Sequence, residues 1–476
     1  MATTPATKNE LGLHRVLGTW DLVLFNIAAI VGLRWLSVAA QVGPSSLTLW
    51  LLGLIGFFIP LALAVLELSS RVPGQGGLYL WSKTAFGDVH GFIAGWTYWV
   101  SNLVFFPAAL LFSAGVFLHI GGDHWLAHAG DTHYNLVYCL VVLWAATGLG
   151  ILGLERAKWL QNIGGIATWL AAALILGAGA LAAYRFGPAT TITSANAIPD
   201  FGKLATFSTF ATIALAFQGL ELGPILGGEI KDPRRQIPRA TLISCVVIAA
   251  IYIAGTASLL IALPTSTIDV IAGIPQALAA IGERIGLPMF GALTAALVTI
   301  GTIGSISAWV TGTARLPFVV GVDRYLPAAL GRLHPRYGTP HVALIIQGIL
   351  TSLVLVAALS GSSIHEAYII LIDMTVIMSL LPLLYILLAF PLLRRRAAGR
   401  NEGVNLSPGG TFGCWLAGLT GFAITLLAII TSMIPPADSS NPSLFLLKVV
   451  GGSALLIGIG LLFYRHGQRQ VRYPSP

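Results

Sequence analysis

Gly32-Leu33-Arg34 and, half a chain later, Gly219-Leu220-Glu221 lie inside strongly apolar stretches. Each puts a glycine and a full charge where a lipid bilayer ordinarily tolerates neither. An ionisable residue at membrane depth is costly and marks function by default, and glycine-interrupted segments at corresponding points of two halves mark the binding site of inverted-repeat transporters. Fold and function are therefore read outward from these two tripeptides.

The surroundings are those of an integral membrane protein. Of 476 residues, 56% are hydrophobic and only 9% charged, against about 25% charged in soluble domains, and the mean hydropathy is +0.84. A span needs roughly 20 apolar residues to cross about 30 Å of hydrocarbon. Twelve stretches qualify, near residues 20–42, 47–69, 89–120, 134–154, 159–183, 206–228, 239–263, 288–317, 340–359, 365–390, 412–433 and 444–464; they are called spans 1 to 12 below. No segment remains for a soluble domain.

The net charge of +8 reflects topology rather than nucleic-acid binding. With both termini cytoplasmic, 21 of the 26 Lys and Arg fall inside, four (Arg185, Lys203, Arg284, Lys448) fall outside, and Arg34 alone sits within a span. This bias is the positive-inside rule, and it implies a multi-pass protein of the cell (inner) membrane. The first twenty residues lack the apolar core and cleavage site of a signal peptide. Cys139, Cys245 and Cys414 all lie in apolar segments and read as packing thiols. The outward loop 121–134 carries His124, His128, His133, Asp123 and Asp131 in no recognised ligand spacing, so a solvated loop is expected and no metal or cofactor. No Walker A loop, zinc-protease helix or nucleophile elbow occurs, which argues against a pump and against an enzyme. Pro238 is expected in the first turn of span 7.

Four motifs in order carry a resemblance over essentially the whole chain: Glu67-Leu68-Ser69-Ser70-Arg71-Val72-Pro73 running into Gly76-Gly77-Leu78-Tyr79; Phe217-Gln218-Gly219-Leu220-Glu221; Glu229 to Pro238; and Thr313-Ala314-Arg315 leading to Asp323-Arg324-Tyr325-Leu326-Pro327. The chain resembles the amino acid, polyamine and organocation transporters, particularly members like the glutamate/GABA and arginine/agmatine antiporters. The resemblance implies an all-α fold of two inverted five-helix repeats, residues 20–183 and 206–390, with helices 1 and 6 broken at mid-membrane. A cytoplasmic segment 1–19, a basic loop 391–411, two peripheral helices in 412–464 and a tail 465–476 complete the division. The activity implied is alternating-access transport of amino acids or related amines, with exchange or proton coupling; a sensor or an uncoupled permease on the same fold is the alternative. Its partners are then a small-molecule substrate, protons and the lipid bilayer.

Unwinding a helix in lipid is tolerable only where something satisfies the freed N–H and C=O groups. A zwitterionic amino acid offers both complements, and Gly32 and Gly219 are expected to supply the required dihedrals. The family commonly carries a small Gly-x-Gly-type segment in span 1, whereas this chain has Gly32-Leu33-Arg34-Trp35. Arg34 then binds a substrate carboxylate, or pairs with Glu221, or is a fixed cation replacing a sodium ion, a role filled in some relatives by a span 5 lysine whose aligned position is Thr168, or is a structural arginine that snorkels. By resemblance, Gly32, Leu33, Arg34, Asn102, Phe217, Gly219, Glu221 and Trp309 are the candidate substrate contacts. Glu221, Phe217 and Tyr79 are candidates for gating or proton coupling, although Leu215 stands where the relatives have a gating tryptophan. Asp373 is a further carboxylate in span 10 with no role assigned.

Overall fold

A computed structural model describes residues 15–268, 273–360, 364–396, 407–434 and 442–472. The expected terminal segments and the basic loop 391–411 therefore lie partly outside the described residues. Among those described, the regular secondary structure is helical, apart from one parallel bridge between Leu17 and Ile230. Ten helices are long and apolar enough to cross a membrane, and the bent pair Thr19–Ile30 and Arg34–Gln41, 42° apart, makes an eleventh. Span 6 does not qualify on length. Its helix Leu204–Ala216 stops after 13 residues, and helix resumes only as the short turns Leu222–Ile225 and Gly227–Glu229.

Burial sorts the helices into centre and periphery. Span 3, Asp88–Leu118, is 89% buried over its most apolar window, whereas span 12, Pro442–Gln468, is 22% buried and offers most of its surface to lipid. Apolar tails outside give no drive to bring helices together, so packing depends on close backbone approach at small residues. Spans 5 (Leu154–Phe186) and 8 (Phe290–Thr313) meet in this way. A Cβ added at Gly164 would lie 2.6 Å from Gly304 Cα, and one at Gly304 would lie 2.6 Å from Gly164 Cα. Thr168 lies on the same contact, where its hydroxyl bonds back to Gly164 O at 2.9 Å.

The two breaks differ in cause. Gly219 has φ +130°, a conformation open to glycine and strained for other residues, and a Cβ there would also stand 2.7 Å from Ile30 Cγ1. Gly32 does not have a positive φ, contrary to expectation. It is needed for room, because a Cβ would lie 2.8 Å from Trp35 Nε1 and 3.4 Å from Arg34 Cζ. Pro238 also differs from expectation: Pro233 opens the span 7 helix and Pro238 lies inside it. Asp131 of the histidine-bearing loop caps the Thr132–Leu152 helix, accepting the His133 N–H at 2.8 Å.

One residue absent from the sequence reading holds both breaks. The Tyr252 hydroxyl of span 7 donates to the carbonyl of Ile30 and lies 2.9 Å from that of Ala216, the last residues of the two interrupted helices, and it accepts the Gly32 N–H at 3.3 Å. Trp309 Nε1 of span 8 donates to Ala29 O at 2.7 Å. The Tyr252 ring is fixed by stacking on Trp50, with centroids 4.5 Å apart, and by the edge of Phe217.

Two outcomes are expected. Gly304→Val drives a side chain into the Gly164 backbone and lowers stability by about 1–3 kcal/mol or more, read as earlier thermal loss of the monodisperse peak in detergent; unchanged melting would mean that spans 5 and 8 do not rely on this contact. Tyr252→Phe keeps the ring but strips the hydroxyl from two carbonyls and an amide, at about 1–3 kcal/mol. Its melting temperature should fall more than that of Tyr138→Phe at the edge of the outward loop.

Candidate functional site

Between the two breaks lies a cavity of about 30 Å³, lined by Ala29, Ile30, Arg34 and Trp35 of span 1, Ser101, Asn102 and Phe105 of span 3, Leu215, Ala216 and Gln218 of span 6, Trp309 of span 8, and Thr375 and Ser379 of span 10. That volume holds about two waters. The space between the breaks is thus narrow in this conformation.

Arg34 is the one charged residue of this lining, and it is buried. Its guanidinium carbon lies 4.4 Å from the centre of the Trp35 ring and 4.9 Å from that of Phe105, a sandwich that holds the planar group by its faces. The stacking restrains the plane of the guanidinium, whose planar fork of N–H donors is of the kind that suits a carboxylate. Asn102 Nδ2 bonds back to Tyr98 O at 2.7 Å. Gln218 Nε2 reaches Ser379 O at 3.3 Å, tying the broken span to span 10.

The other candidates stand elsewhere. Glu221 is fully buried but absent from the lining; its Oε1 accepts the Tyr98 hydroxyl at 2.7 Å, and its Oε2 accepts the Gly219 N–H at 3.2 Å. Tyr98 in turn stacks on Trp309, with centroids 6.1 Å apart, so one aromatic step separates the carboxylate from the cavity wall. Phe217 faces away from the cavity, stacked on Phe58 at 4.6 Å and edge-on to Trp50 at 5.1 Å. Gly32, Leu33 and Gly219 shape the breaks without lining the space. The structure thus brings together Arg34, Asn102 and Trp309 of the expected contacts, and adds Ser101, Phe105, Gln218, Thr375 and Ser379. Only Gln218, inside the quoted Phe217–Glu221 motif, had a sequence signal.

At the end of the molecule where the basic clusters gather, three contacts join separate helices. Tyr79 donates to Asp323 Oδ2, and Lys83 Nζ reaches the same oxygen at 2.6 Å. Burial, and then the Asp323 carboxylate, push the Tyr79 phenol up from its ordinary range, so it remains a donor at neutral pH. Arg315, completely buried, grips Glu229 through Nε and Nη2 at 2.8 and 2.9 Å, linking the end of span 6 to span 8. Glu67, also buried, takes Arg71 at 3.0 Å and Arg394 at 3.1 Å, linking spans 2 and 10. Three of the four quoted motifs are accounted for by these contacts.

Comparison with known proteins agrees with this architecture. The crystal structure of MhsT in complex with L-phenylalanine superposes with a TM-score of 0.59 at 14% identity, covering 97% of this chain and 100% of that one. That likeness shows that this chain shares the fold of that structure. An uncharacterized transporter of Legionella pneumophila is 28% identical, over 96% of this chain and 98% of its own length. A glutamate/gamma-aminobutyrate antiporter of Lactococcus lactis is 25% identical over 82% of this chain and 78% of its own. A probable agmatine/putrescine antiporter of the same species is 26% identical over 67% of each chain. These likenesses and the fold describe a membrane transporter rather than an enzyme. Residues 17–455 match the amino acid permease family, and the chain belongs to that family.

Proposed function

We propose that this protein is a secondary active transporter of amino acids or closely related carboxylate-bearing solutes, working by alternating access across the cell membrane with both termini inside. In this reading spans 1–5 and 6–10 form two inverted repeats, with the breaks in spans 1 and 6 as their counterparts. The observation that carries the proposal is Arg34, held between two rings at the wall of the cavity between the breaks. Among the solutes named for the relatives, a carboxylate complements this wall, whereas a diamine meets a like charge. Asn102, Thr375 and Ser379 supply the neutral polar groups that would orient the rest of the solute.

Coupling is assigned to Glu221. It is buried, bonded to Tyr98, and one stacked ring from the cavity, so proton loss or gain there would alter the Tyr98–Trp309 wall. Exchange or proton coupling is favoured over sodium coupling because the fixed cation of Arg34 already occupies the region between the breaks. The contacts at the basic end serve as the inner closure, with Tyr79 as one of its members.

Two experiments test the reading in proteoliposomes. Arg34→Ala should abolish binding and exchange of carboxylate-bearing amino acids, at least a hundredfold in affinity, and spare decarboxylated amines; equal loss of both classes would remove Arg34 from the carboxylate. Glu221→Gln keeps an acceptor for Tyr98 and should flatten the pH profile of exchange while substrate binding persists. An undiminished profile would hand the proton to another group. Binding without flux in the unaltered protein would indicate a sensor, and flux indifferent to preloaded substrate an uncoupled permease.

A further inference from the structure

A second cavity, about 420 Å³ in volume, lies at the basic end, away from the site between the breaks. Three segments distant in sequence build it: Arg15 before span 1, Pro73-Gly74-Gln75 after span 2, and Gly227-Gly228 with Lys231 to Arg234 after span 6. The backbone contact that forms it has no tolerance for side chains, since a Cβ at Gly227 would lie 2.3 Å from Gly74 O. Gly76 N–H donates to Ile225 O at 3.2 Å, and the Gly228 N–H donates to Gln75 Oε1 at 2.8 Å. The two loops are thus locked together with a polar hollow beside the lock.

The lining is chemically one-sided. Arg15, Lys231 and Arg234 contribute three cations against the single carboxylate of Asp232, which Arg235 also approaches at 3.8 Å. The 30-residue helix Pro233–Ala262 begins here, so its positive end faces the same space. Gln75 supplies the independent sign of a ligand. It is 7% exposed, its oxygen is held by Gly228, and its Nε2 donor is buried without a hydrogen-bond partner. A buried amide donor left unmatched is costly, and in a hollow ringed by cations an anionic oxygen is the complement it lacks.

We infer that this hollow is a binding site for a phosphoryl anion, contacted by Gln75 Nε2 and by the Arg15, Lys231 and Arg234 side chains. The shared chemistry is a phosphate oxygen cluster, which either a soluble phosphate or the headgroup of an anionic lipid would supply at a membrane face rich in basic residues. The site is separate from the cavity between the breaks, so its test does not depend on which solute is carried.

The full chain in neutral maltoside micelles is titrated with inorganic phosphate by calorimetry, with sodium chloride at matched ionic strength as the blank. In parallel it is placed in nanodiscs of phosphatidylcholine with and without phosphatidylglycerol, and the phosphatidylglycerol retained is counted by native mass spectrometry. The unaltered protein should take up phosphate or retain phosphatidylglycerol, and the arm that responds identifies the source. The paired substitution Lys231→Gln with Arg234→Gln, on the exposed rim, should weaken that response at least tenfold. Gln75→Glu, which keeps an acceptor for Gly228 but turns a negative oxygen inward, should do the same while the melting temperature stays close to that of the unaltered chain. No response in either arm, or a response indifferent to both variants, overturns the inference.

Discussion

The rest of the structure depends on what becomes of backbone groups released where a helix stops inside a membrane. Hydrocarbon offers them nothing, so each freed carbonyl or amide must be matched by protein or solute. Here the Tyr252 hydroxyl serves Ile30, Ala216 and Gly32, and the Trp309 indole serves Ala29. A substrate is therefore not needed to make the breaks tolerable. The side chains of the cavity wall, Arg34 among them, are what the proposed reading assigns to the solute.

This distribution bears on the part the proposed function gives to Arg34. A cradle of backbone amides recognises a carboxylate only if those amides are unspent. With Gly32 N–H turned to Tyr252, the proposed function gives recognition to a side-chain cation instead, and the two flanking rings restrict the directions it can take. Stacking on Trp35 also accounts for Gly32, whose missing side chain is the space that the indole uses.

Much of this was legible in the residues. A charge beside a glycine in an apolar run breaks two rules at once, and both places where that happens are interruptions in the helices. Asn102 and Trp309 were found through motifs, and both reach the cavity wall. Tyr252 was not legible, because a tyrosine in an apolar helix has no local signature; its importance arises from two segments more than thirty residues away in the chain. Phe105, Thr375 and Ser379 were hidden for the same reason. Phe217 and Glu221 lie in the break but not on the cavity lining: within five non-helical residues, 3.6-residue periodicity no longer says which way a side chain points. The expected twelve spans met a simpler difficulty, since span 6 is divided into pieces too short to be recognised by length.

Trp309 holds two offices, and they constrain how this protein could change over time. Its indole both walls the cavity and closes the Ala29 carbonyl, so a smaller residue that enlarged the space would also strip a hydrogen bond from the interrupted first span. The Thr375 hydroxyl bonds within span 10, and Ser379 meets the broken span 6 only through its backbone carbonyl, so neither side chain carries such a second duty. Diversification of the solute carried should therefore proceed along span 10, while span 8 stays fixed; a lineage could acquire a new cargo without first having to rebuild its scaffold.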